Sequence, residues 1–187
     1  MRKIVKAKKE DLPSLLKCLR RVSVDNACLG YKDLSDLSFW QSHIEEEVEA
    51  GRVYVSKENK RVLGAIEVSF SIEEALFPKT HSSSKTYDLL DKLNYRGEPT
   101  MAILFVFVDP SFQRKQVGKE MVKDMENRYA QATWAAAVSV DNQRLLAFFK
   151  KMGFTNYGIY PELELEEDKV LIAKPYVENG LCRNLFW

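Results

Sequence analysis

Leu12, Leu15, Leu16 and Leu19 recur at helical spacing, which predicts a helix with Asp11 as its N-cap and Pro13 in its first turn. Ahead of it, Ile4 and Val5 in a basic opening read as a short strand. Phe39, Trp40, Ile44 and Val48 mark one face of a second helix, from about Leu37 to Ala50, which Gly51 stops. Val53 to Ser56 and Val62 to Phe70 are β-rich runs separated by the polar turn Lys57-Glu58-Asn59-Lys60, the pattern of an antiparallel hairpin. From Glu73 to Thr100 the periodicity breaks into Pro78, the triplet Ser82-Ser83-Ser84, a short helical patch at Tyr87 to Leu93, then Gly97 and Pro99. A loop this long in a compact domain is usually functional or mobile.

Met101 to Val108 is apolar throughout, so it reads as a central strand covered on both faces. Val117, Met121, Val122, Met125 and Tyr129 trace a helix, Trp134 to Val140 another buried strand, and Leu145, Leu146, Phe148, Phe149 and Met152 a helix that Gly153 ends. Tyr157 to Leu165 and Val170 to Ala173 close the chain as a second hairpin. The middle of the chain is thus βαβα, with a parallel or splayed strand pair, between antiparallel hairpins. The expected fold is α/β, a mixed and mostly antiparallel sheet with helices on both faces.

The length of 187 residues suits one domain, with the stretch at about 73–99 as a long inserted loop. At 45% hydrophobic and 29% charged residues the composition is that of a globular chain. The net charge of +1 gives no global field for gathering nucleic acid or an anionic membrane, so neither is expected as a partner and any anion site must be local. The apolar run Met101 to Val108 is far short of the roughly 20 residues that span a bilayer, and the N-terminus lacks a signal-like apolar stretch, so a cytoplasmic location is expected. Cys18, Cys28 and Cys182 have no C-x-x-C spacing, and His43 and His81 are the only histidines, so neither a zinc site nor any other metal is expected. Cys28 and His43 are the one Cys/His pair close in sequence, and they read as ordinary half-buried residues in preference to a catalytic pair.

The chemistry concentrates in Val106-Phe107-Val108-Asp109-Pro110-Ser111-Phe112-Gln113-Arg114-Lys115-Gln116-Val117-Gly118-Lys119-Glu120, where a buried strand stops at a proline and a basic turn opens into a helix. Backbone N–H groups and the helix dipole at such a start attract a phosphate. A Walker loop is excluded, because Glu120 follows Gly118-Lys119 and the earlier glycine is missing. On these residues alone, Arg114, Lys115, Lys119 and Lys123 also read as a solvated helix face.

The order of elements adds to this. The stretch resembles the pyrophosphate loop, Q/R-x-x-G-x-G/A after a strand ending in V-x-P, of the GNAT superfamily of acyl-coenzyme A dependent N-acetyltransferases. Downstream, Asp141-Asn142-Gln143-Arg144-Leu145-Leu146-Ala147-Phe148-Phe149-Lys150-Lys151-Met152-Gly153-Phe154 is similar to the family's N-x-x-A-x-x-x-Y-x-x-x-G-F helix. Ile4 to Leu12 resembles its opening strand and helix, so the resemblance covers nearly the whole chain.

It implies a GNAT-like sheet and transfer of an acetyl group from acetyl-CoA to a primary amine of a small molecule or peptide, by direct attack. The main chain of Val106, Phe107 and Val108 would pair with pantetheine, the amides of Arg114, Lys115, Gln116, Val117, Gly118 and Lys119 would hold the pyrophosphate, and Asn142 would bond the pantetheine beside Phe149. Three departures stand out. Gln116 replaces a glycine where a left-handed backbone would strain it, Glu120 would crowd or repel a phosphate, and Phe149 replaces the tyrosine that protonates the departing thiolate.

Neither central strand carries a carboxylate. Glu67, in the apolar Val62 to Phe70 strand, is therefore the candidate base, although strand alternation equally allows it to face solvent. Tyr157 and Tyr160 are the candidate acids or else packing residues. Glu162, Glu164, Glu166, Glu167 and Asp168 form an acidic hairpin turn that would attract a cationic amine or simply be solvated. The alternatives left open are a non-catalytic acyl-CoA binding or interaction module, which Phe149 keeps alive, and a nucleotide-phosphate protein of another α/β type. Oligomeric state is not legible.

Overall fold

The computed structural model describes residues 2–24, 37–76, 84–93, 99–162 and 167–176. Among the described residues seven strands form one sheet: β1 (Arg2–Lys6), β2 (Val53–Glu58), β3 (Arg61–Ser69), β4 (Thr100–Val108), β5 (Thr133–Ser139), β6 (Thr155–Glu162) and β7 (Glu167–Lys174). Their order is β1-β2-β3-β4-β5-β7-β6, which puts the apolar strand β4 in the middle. Every neighbouring pair is antiparallel except β4 and β5.

Two irregularities meet in β4. Its ladder with β5 runs only from Thr100↔Thr133 to Ile103↔Ala136, although both strands continue, so the two diverge beyond Ile103. On its other edge the register with β3 shifts between Glu67↔Phe105 and Val68↔Ile103, leaving Leu104 as an extra residue. A bulge turns consecutive side chains to one face. Phe105 accordingly packs under α1 (Leu12–Val24) and α2 (Leu37–Glu49), while Leu104 packs on the same face beside α3 (Ile72–Leu76) and α4 (Ser84–Leu93). The opposite face carries α5 (Val117–Arg128) and α6 (Gln143–Lys151), packed on Met101, Ile103 and Val106.

Several elements depart from the periodicity. The span from Glu73 to Thr100 is not a plain loop: Ile72, Leu76, Leu89 and Leu93 are buried against Ala102, Ala135, Leu171 and Ala173, so α3 and α4 form part of the core. Phe39 is 60% exposed, leaving Trp40, Ile44 and Val48 as the buried face of α2. The first hairpin is tighter than the polar residues suggest, because main-chain pairing extends through Lys57 and Glu58 to a turn at Asn59 (φ 55), a conformation that asparagine tolerates. Cys28, His81, Cys182, the stretches 77–83 and 94–98, and positions 163–166 of the acidic turn lie outside the described residues.

Candidate active site

The strand β4 stops where Asp109 caps a single 3₁₀ turn, Pro110–Phe112, and the chain then re-enters a helix at Val117. Between them Arg114 (φ 61) and Gln116 (φ 65) are both left-handed, a conformation that costs a residue with a Cβ roughly 1–2 kcal/mol. The strain expected at Gln116 is therefore present, and Arg114 shares it. Alternation of this kind makes a concavity of main-chain N–H groups, and the first turn of α5 adds amides without helical partners.

The loop forms one wall of a groove of about 460 Å³. Val106, Phe107 and Val108 line it from β4, and Arg144, Leu145, Phe148 and Lys151 from α6. Arg144 is tied across it, its Nη2 donating to Gln113 Oε1 at 2.6 Å. A Cβ on Gly118 would sit 3.5 Å from Val108 and 3.6 Å from Phe148, ordinary contact distances, so the fold does not require glycine there. What the missing Cβ leaves is space in the groove.

Two basic-loop residues behave differently from the sequence expectation. Glu120 turns away from the groove and pairs with Arg2 at 2.7 Å, so it neither crowds nor repels an anion there. Lys115 lies 4.9 Å from the Phe112 ring centroid and does not line the groove. Asn142 is the N-cap of α6, its Oδ1 accepting from Leu145 N at 3.0 Å, and it too lies off the groove lining. Phe149 is buried between Phe148 and Phe154 and lines the narrow cleft where β4 and β5 part, opposite Leu104 and Ala137.

Glu67 does not face solvent. It is fully buried, because α2 lies over its side of β3, and its Oε2 meets His43 Nε2 at 2.9 Å. Trp40 stands edge-on to the imidazole and Phe39 stacks beside it. One turn along α2, Glu47 accepts from Arg52 Nη2 at 2.6 Å. Burial raises the Glu67 carboxyl above its ordinary range despite the His43 bond, and the bond to Glu67 raises His43 despite partial burial. Arg52 holds Glu47 below its ordinary range. The His43 side chain retains 30% exposure, so it is the member of the pair that solvent or a ligand reaches.

Tyr160 is buried in the cluster beneath α3 and α4, and Tyr157 packs partly buried at its edge. Both lie on the face that carries Leu104, Phe105 and Glu67, across the β4/β5 cleft from the last. His43, an ordinary half-buried residue on the sequence alone, is instead paired with Glu67, a partner that sequence reading misses because it is 24 positions away on another element. Arg144 and Lys151 are missed as well; their separation of about two helical turns from each other, facing a basic loop, is the available signal.

The Acetyltransferase (GNAT) family model matches residues 19–154. Among solved structures, the chain is similar to a GNAT-family acetyltransferase of Bacillus cereus (TM-score 0.64, 14% identity, covering 95% of this chain and 99% of that one). It is also similar to the ribosomal-protein-S18-alanine N-acetyltransferase of Escherichia coli (TM-score 0.62, 16% identity, all of both chains). A third likeness is to yncA of Salmonella typhimurium with its cofactor acetyl-CoA (TM-score 0.62, 18% identity, 98% and 99% of the chains). With a mixed sheet that splits beside a basic strand-to-helix turn, and a family model spanning most of its length, the chain belongs to the GNAT acetyltransferase family.

Proposed function

We propose that the chain, as one domain of residues 1–187, moves the acetyl group of acetyl-CoA to a primary amine by direct attack, with no covalent enzyme intermediate. The observation that carries this reading is the continuity of the basic groove with the β4/β5 cleft: Val106 borders both, and so does Leu145. A long cofactor entering along β4 would leave its diphosphate at Arg114 to Lys119 and its thioester near Leu104. The unpaired β4 edge beyond Ile103 offers main-chain groups for a pantetheine arm, and Arg144 and Lys151 add positive charge to the groove, which the Lys115 side chain does not line. Asn142 acts in this reading by fixing the start of α6.

An amine arrives as an ammonium ion and must lose a proton before it attacks. His43 is the proposed proton acceptor, and Glu67, sealed behind it, the positioning residue that stabilises the charged imidazolium. The amine nitrogen forms a bond to the acetyl carbonyl carbon as the C–S bond breaks. The departing thiolate then takes a proton from Tyr157, Tyr160 or water, because Phe149 has none to give.

The deciding experiment is an acceptor panel of small amines, lysine peptides and peptide N-termini, followed by release of free thiol from acetyl-CoA. Acetyl-CoA-dependent release with at least one amine supports the reading. Tight acetyl-CoA binding without release for any class of amine would favour a non-catalytic acyl-CoA module.

A further inference from the structure

On the far side of the Pro110–Phe112 turn lies a second groove, of about 620 Å³, that shares only Phe112 with the one described above. Lys17 and Arg21 come to it from α1, Lys60 from the β2–β3 turn and Arg61 from the start of β3. These four cations face two carboxylates in its lining, Glu58 and Asp109.

Asp109 organises the site. It is 1% exposed, and its Oδ2 accepts from Arg21 Nη1 at 2.9 Å and from Arg61 Nη2 at 3.1 Å. One buried carboxylate therefore anchors two guanidinium groups, while each arginine side chain stays about half exposed, at 44% and 50%, with further N–H groups to offer. Arg61 is fixed a second time, 4.6 Å above the Phe112 ring centroid. Lys17 precedes Arg21 by one helical turn, so two like charges share one face of α1, an arrangement that an empty groove does not reward. Cys18 in the lining does not supply a nucleophile: burial, with Asp109 beside it, pushes its thiol up to about 12 and keeps it neutral.

We propose that this groove binds a phosphate monoester, with Arg21 and Arg61 as pre-set hydrogen-bonding forks and Lys17 and Lys60 as point charges. Two sources carry that group. One is the 3′-phosphate of coenzyme A itself, reaching past Phe112, which rests on the cofactor reading above. The other is a separate phosphorylated small molecule, which does not.

The test uses the whole chain and a Lys17→Glu/Lys60→Glu variant, both positions being exposed and outside the Asp109 network. Amide resonances of Asn59, Lys60 and Arg61 are followed during titration with inorganic phosphate, against chloride at equal ionic strength. The expected result is a saturable, phosphate-specific shift in the wild type that weakens about tenfold or more in the variant. Shifts that chloride reproduces, or that persist unchanged in the variant, overturn the proposal. If the charge-reversed variant fails to fold, Lys17→Gln/Lys60→Gln replaces it under the same criteria. Calorimetry with coenzyme A and 3′-dephospho-coenzyme A then separates the sources. A preference for the 3′-phosphate that vanishes in the variant identifies the cofactor's own phosphate. An unaltered preference, with phosphate binding lost, identifies a separate ligand.

Discussion

Glu67 Oε2 and His43 Nε2 lie 2.9 Å apart, with the carboxylate fully buried on β3 and the imidazole partly open on α2. Glu67 pairs in register with Phe105, next to the bulge at Leu104, so the dyad is held one strand from the place where β4 and β5 separate. The raised values of both groups share one direction. His43 holds its proton above its ordinary 6.5, and a base works only after losing it. Activity should therefore rise with pH through an apparent pKa above 6.5, and His43→Gln should abolish that limb and lower kcat/KM by about 10² to 10⁴. Glu67→Gln should shift the limb to lower pH. Profiles of kcat/KM against pH for the three proteins check this; an unchanged limb in His43→Gln would exclude His43 as the base.

Stability should follow the same pair. Both groups bind protons more tightly folded than unfolded, so their contribution is present at low pH and is lost as pH rises from 4.5 for Glu67, and from 6.5 for His43, through the folded values. Denaturant unfolding across pH 5 to 9 should show a fall. His43→Gln should remove the imidazole's share, centred above pH 6.5, and leave that of the buried Glu67 carboxyl, which the imidazole otherwise lowers. The other charged neighbours of the imidazole are Glu46 and Glu47.

Phe149→Tyr places a phenol at the cleft lined by Leu104 and Ala137. Thiol release should be unchanged or faster, because a proton donor is added without removing one. Parallel replacement of Tyr157 and Tyr160 by Phe should slow the wild type. Full turnover in that double variant would exclude both tyrosines and leave water or an acid elsewhere as the donor.

Gly118→Ala should leave the melting temperature nearly unaltered, since its Cβ meets Val108 and Phe148 at ordinary contact distances. Acetyl-CoA affinity should fall several-fold as the methyl fills the groove. Equal affinity would mean that the cofactor does not approach this turn.

The fold was legible where a run of one character was long enough to fix its own environment. The uniformly apolar Met101 to Val108 could only be central, and the basic turn after it could only open a helix. Ile72–Leu76 was not legible, because five residues make little more than one helical turn, too few for a periodicity to repeat, and the sheet face it covers is contributed by β4, β5 and β7. Glu67 was legible as chemistry but not as geometry: alternation leaves its face undecided until α2 packs over β3. Phe39, apolar and at helical spacing, lies at the edge of the buried stripe and stacks on His43 instead. Asn142 kept its place in the motif while its amide oxygen turned to capping.

The central claim, that the turn after β4 holds the diphosphate of acetyl-CoA, is tested most directly by calorimetric titration of acetyl-CoA into the wild type and an Arg114→Glu/Lys119→Glu variant. Both residues line the groove, and reversing them sets like charge against the diphosphate. The account predicts one saturable site in the wild type and a loss of affinity of about a hundredfold or more in the variant. An affinity that is the same in both proteins would contradict it and place the cofactor elsewhere on the molecule.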